Sequence, residues 1–189
     1  MIKPNTLRIS LLIILLNIFL NLTGIFVGLG VAFAKPTSTY LNIQNCVELS
    51  SEPEQEGAWK GECPSLGGIR IFKELIDARQ WLSFQRPRDS KATPIAQNGT
   101  RRSGFPYLTN HTLEIRYDIK KEQLIPIGVI YRVSGSDLAG DTSSNQAVQT
   151  LIVVSFEGKK IRVVDEIDGA LPNANEIARK TLDLATLIK

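Results

Sequence analysis

Thr112-Leu113-Glu114-Ile115-Arg116-Tyr117 alternates polar and apolar residues, which places Leu113, Ile115 and Tyr117 on one face of an extended strand. Downstream, Pro126 to Val133 reads as a more uniformly apolar strand and Ser134 to Asn145 as a polar connection. Ala147 to Phe156, the turn Glu157-Gly158-Lys159-Lys160 and Ile161 to Val164 then make a hairpin. Four such runs in succession predict an antiparallel sheet as the core. After it, Pro172 and Asn173 open a helix, with Asn173 as cap and Glu176 three residues on, placed to reach back to the cap amide. Ile177, Ala178, Thr181, Ala185 and Ile188 recur at helical spacing, broadened by Leu182 and Leu184, so this face should close one side of the sheet. The expected fold class is α+β: an antiparallel β-sheet, a C-terminal α-helix packed on it, and one disulfide.

Upstream of the deciding strand the signals are weaker. Gln85 to Asn110 is rich in Pro, Arg, Ser, Asn and Gly and reads as a loop of 26 residues, long for a compact domain and therefore either mobile or a binding loop. Before it, Gln80 to Phe84 reads as a short strand anchored by Trp81, Lys73 to Ala78 as one helical turn, and Ile69 to Phe72 as a strand. Pro64-Ser65-Leu66-Gly67-Gly68 is a tight turn in which the glycines supply positive φ or close backbone approach. Ala58 to Cys63 and Leu41 to Leu49 pair across the acidic tip Ser50 to Gly57, and Lys35 to Tyr40 is a flexible lead-in. Trp59 is a core or sheet-face aromatic.

The N-terminus indicates a compartment. Met1 to Ser10 carries only Lys3 and Arg8 as charges, Leu11 to Val31 is almost wholly apolar, and Ala32-Phe33-Ala34 supplies small residues for a cut: the layout of a secretory signal. An apolar run of 21 residues is also long enough to span a bilayer, so residues 11–31 as an uncleaved anchor are the alternative. Residues 35–189, which number 189 − 34 = 155, suit one exported domain. Their charge is 20 − 19 = +1, which argues against nucleic-acid binding. Both cysteines, Cys46 and Cys63, fall in this part and are expected to form one structural disulfide, worth about 3 kcal/mol in the chain-entropy model.

No catalytic, cofactor or metal constellation emerges. His111 is the one histidine and has no Gly-x-Ser-x-Gly elbow or similar signature beside it. One histidine and two paired cysteines cannot fill a familiar zinc site. Asp165 to Glu176 matches the span of a calcium loop, but Ile167 and Gly169 stand at liganding positions and Ala170 replaces the required glycine, so a strand-to-helix turn explains the carboxylates better. Glu114 has no identifiable acid/base partner. Asn98-Gly99-Thr100 and Asn110-His111-Thr112 fit the glycosylation triplet, which matters only in a cell that uses it. Arg86, Arg88, Lys91, Arg101 and Arg102 make the 85–110 segment basic, with Phe105 and Tyr107 following. They form the candidate partner-binding loop, suited to phosphate head groups of a lipid surface, an acidic glycan or an acidic envelope protein. The plainer alternative is a solvated loop whose charges keep it soluble.

Two stretches resemble a family of small exported bacterial proteins, many of them alphaproteobacterial, with no established activity. One is Cys46 through Trp59 with Cys63-Pro64, Gly67-Gly68 and Ile69; the other is Thr112 to Tyr117, Ile127 to Arg132, Leu151 to Val154, and Val164-Asp165 through Asn173-Ala174-Asn175-Glu176-Ile177-Ala178-Arg179. Members often carry a second cysteine pair near the last strand and the C-terminus, whereas Ile161 to Val164 and Thr181 to Lys189 have none. The resemblance implies export and names no catalytic residue. The functional expectation is an exported, non-enzymatic envelope-interaction or binding module. The alternative is an inhibitor of a periplasmic or extracellular enzyme such as a lysozyme, with the 85–110 loop as its contact, and a third reading is a hydrolase using His111.

Overall fold

A computed structural model describes residues 36–52, 58–76, 79–96, 100–120, 123–137, 147–158 and 160–187, all within the unit Lys35–Lys189. The expected leader or anchor at 1–34, the tip at 53–57, the triplet at Asn98 and the connection over 138–146 lie outside the described residues.

The alternation of β8 (Thr112–Lys120) sets the architecture. Leu113, Ile115 and Tyr117 are buried on one face, as expected. The strand sits in a six-stranded antiparallel sheet ordered β1 (Thr37–Asn42), β8, β9 (Gln123–Asp137), β10 (Ala147–Ser155), β11 (Arg162–Asp168). Strand β9 is long enough to take two partners on one side: β8 along its first half and β7 (Ser103–Leu108) along its second.

The single expected sheet is two. β2 (Val47–Glu52), β3 (Ala58–Leu66), β4 (Ile69–Ile76), β5 (Arg79–Gln85) and β6 (Thr93–Ile95) form a five-stranded meander of their own. Its inner residues Cys63, Ile71, Leu82, Phe84 and Ile95 pack on Leu113, Ile115, Val129, Tyr131, Ile152 and Val154 of the larger sheet. Phe84 anchors this interior, with ring centroids 5.5 Å from Phe156 and 6.3 Å from Tyr131.

Four upstream expectations change. Leu41 to Leu49 is not one strand: β1 joins the larger sheet and β2 the smaller, and between them the buried Ile43 donates its amide to the His111 carbonyl at 2.7 Å. The lead-in is ordered from Thr37, because β8 offers an open edge to pair with. Lys73 to Ile76 is strand rather than helical turn; cross-strand partners decide it, with Glu74 accepting from Ser83 and Lys73 lying over the Trp59 ring. The expected loop over 85–110 holds β6 and β7.

Cys46 and Cys63 form the expected disulfide, which staples the entry of β2 to β3. Gly67 and Gly68 turn β3 into β4 at φ 61° and 77°, as the sequence required. Helix α1 (Ala174–Leu187) packs on the opposite face of the larger sheet through Ala174, Ala178 and Leu182, against Ile130, Leu151 and Val153. Leu184 does not share that face and is exposed. Gly128 lets Leu182 descend onto the strands: a Cβ there would lie 2.7 Å from Leu182 Cδ1 and 2.3 Å from the Val154 carbonyl oxygen. The Asn173 carbonyl accepts the Ile177 amide at the helix start, while Glu176 pairs with Lys180. Among the described residues no helix is long and apolar enough to cross a membrane.

Candidate functional site

The basic segment is largely tied down within the fold. Arg86 is buried, holds both carboxylate oxygens of Asp89 and donates to the carbonyls of Phe156 at 2.9 Å and Gly158 at 3.1 Å. It therefore pins the end of β5 to the turn after β10. The Arg86 guanidinium holds the Asp89 carboxyl below its ordinary value. Arg101 pairs with Asp165 at 2.8 Å and its amide donates to Glu166, while Arg102 pairs with Asp168 at 2.8 Å. The three carboxylates that suggested a calcium loop thus anchor the returning segment to β11. Tyr107 is exposed on β7, and the side chain of Phe105 lies outside what the structure describes. Lys91 is exposed and sits apart, on the outer face of the smaller sheet. His111 lies at the turn before β8 with its Nδ1 buried and without an acceptor or donor among the described residues.

Arg86 and Arg88 meet elsewhere in the molecule. At one end of the sandwich, the β3–β4 turn, the Arg86-Pro87-Arg88 turn, the start of the β9 core and the β10–β11 turn surround a cleft of about 520 Å³. Ile69, Pro87, Ile125, Pro126 and Phe156 give it apolar walls. Gly67 forms part of the rim: a Cβ there would press to 3.1 Å from the Pro126 ring. Arg88 is exposed at the mouth and fixed by one bond from Nη2 to the Gly158 carbonyl at 2.7 Å, leaving other N–H groups of its fork directed elsewhere. The adjoining β8–β9 hairpin continues the apolar surface outward, where Ile119 and Leu124 face each other across the strands and are both exposed.

The volume lies in the range of sites that admit a small molecule or the side chains of a peptide. Apolar walls with a guanidinium at the mouth favour a ligand having an apolar body and an anionic end. Sequence reasoning found Arg86 and Arg88 but missed Ile69, Ile125, Pro126 and Phe156. Those four come from three separate chain segments, and only Gly67-Gly68 marked one of them. No family model, curated protein or solved structure matches the chain.

Proposed function

We propose that residues 35–189 act outside the cytoplasm as a non-enzymatic binding module, and that the cleft beside Arg88 receives an apolar, carboxylate-bearing segment of an envelope protein. The observation that carries this reading is the pairing of an apolar cleft with an exposed, backbone-anchored guanidinium at its mouth. A rigid site of this kind loses little entropy on binding, since Arg86 already locks the turn that bears Arg88. Export belongs to the same proposal: the disulfide suits an oxidising compartment, and the first 34 residues have the layout of a signal.

Short apolar peptides with a free C-terminal carboxylate, compared with the same peptides amidated, test the site. The acids should bind about tenfold more tightly, equivalent to about 1.4 kcal/mol, and Arg88→Glu should abolish that preference without changing the melting temperature. Equal binding of acid and amide by the wild-type protein would refute the reading. Mass measurement of the N-terminus from cells tests export separately, with Lys35 expected as the first residue.

A further inference from the structure

A second surface lies on the far side of the smaller sheet, away from the cleft. Because β3, β4 and β5 are antiparallel and in register, Lys60, Glu74 and Trp81 stand in one row, and Glu62, Phe72 and Ser83 in the next. With Arg70, Gln85 and the segment Ser90 to Pro94, these rows line an open groove of about 470 Å³.

Three features of the groove point to a ligand. The first is charge: Lys60, Arg70 and Lys91 line it, Lys60 paired with Glu74 at 3.4 Å and Arg70 with Glu62, so that Lys91 gives the groove its net positive charge. Lys91 is exposed and has no ion-pair partner among the described residues. The second is preorganisation, because the Phe72 ring holds Lys60 Nζ at 5.4 Å and the Arg70 guanidinium at 5.0 Å from its centroid. Glu62 grips Arg70 further through bonds of 2.7 and 2.8 Å, so its position is set before anything binds. The third is an unmet hydrogen bond: Trp81 lines the groove, is only 5% exposed, and its indole N–H has no acceptor among the described residues. A buried donor without a partner is rare in folded proteins, and a ligand or water oxygen is the ordinary remedy.

We propose that this groove is a second binding site, for an acidic glycan. The groove is polar, unlike the apolar cleft, and the Phe72 ring beneath it is roofed by two cations, so an apolar peptide gains little there. A chain of hydroxylated rings bearing carboxylates matches it: the carboxylates face Lys60, Arg70 and Lys91, and a hydroxyl or ring oxygen accepts from Trp81. Lys60 and Arg70 share the Phe72 face and Lys91 stands on the segment before β6, so charges repeated along a polymer can meet both positions.

The test uses polygalacturonate oligomers as the probe, with dextran oligomers as the neutral glycan and poly-glutamate as the anionic non-glycan. The full exported domain should bind polygalacturonate, bind it about tenfold less well on raising salt from low to physiological strength, and ignore dextran. Lys91→Glu, at an exposed position, should weaken binding about tenfold with an unchanged melting temperature. Trp81→Phe keeps the ring and deletes the N–H, and should weaken it about threefold. Equal binding of poly-glutamate, or an unaltered affinity in Lys91→Glu, would overturn the proposal. Arg88→Glu should leave glycan binding intact, so this site and the cleft fail or succeed independently.

Discussion

The two faces of the six-stranded sheet are covered by different chemistry, although the same strands build both. Towards the smaller sheet, β8 presents Leu113, Ile115 and Tyr117, which pack in an apolar and aromatic cluster running from Phe84 to Val154. Towards α1 the same strand presents Glu114 and Arg116, which are 7% and 5% exposed. Arg179 donates to both oxygens of Glu114, at 2.7 and 3.0 Å, and also reaches the Tyr40 hydroxyl. Arg116 donates to Asp183 and to Ser38. Glu114 holds the Arg179 guanidinium above its ordinary pKa. The helix is therefore seated by a small apolar patch around Leu182 and by two ion pairs reaching down from it. The sandwich is held by area; the helix is held partly by geometry. Dispersion and burial accept many packings, whereas paired charges accept few, so the ion pairs fix where along the sheet the helix rests.

The largest effect should come from the apolar side. Phe84→Ala removes the ring that touches Tyr131 and Phe156 and should cost about 4 kcal/mol in denaturant unfolding. A loss below about 1 kcal/mol would mean that the two sheets do not share that interior.

The helix side should respond almost as strongly but in a different way. Asp183→Ala strands the buried Arg116 and should cost about 3 kcal/mol, yet Arg116→Met combined with Asp183→Leu should recover most of it, since replacing both charges removes the desolvation penalty too. A double variant as unstable as the single one would erase the contrast between the faces.

The smallest effect concerns an ionic closure on the sandwich side, Arg86 with Asp89. The folded-state pKa of Asp89 lies below its ordinary 3.8, so its contribution is complete above that value and is lost as the pH falls further and the carboxyl protonates. Asp89→Asn should therefore lower stability at pH 7, where the pair is intact, and the deficit should shrink as the pH falls below about 4, as read by urea unfolding across that range.

Legibility in the sequence follows the same division. The alternation of 112–117, the hairpin around Gly158, the helix opening at Asn173 and the pairing of Cys46 with Cys63 were all readable, because each rests on a local period or on there being one partner to choose. Glu114 and Arg116 were readable as the polar face of a strand but not as a buried one: alternation separates two faces without saying what covers the second. Splitting of the upstream strands into their own sheet was hidden for a related reason, since Lys73 to Ile76 takes its conformation from cross-strand neighbours. The cleft was half legible. Its cations stand together in the chain, and its walls do not.

By itself, then, the sequence determined an antiparallel β-domain with one disulfide and a closing helix, through periodicity, cysteine count and capping residues that act over a few positions. Only the tertiary structure decided that there are two sheets, that the charges of β8 lie under the helix, that Arg101 and Arg102 belong to β11, and that Arg88 guards an apolar cleft. Each of these depends on residues tens of positions apart meeting in space, and no local pattern encodes which of many chemically equivalent partners a charge or an apolar wall will meet.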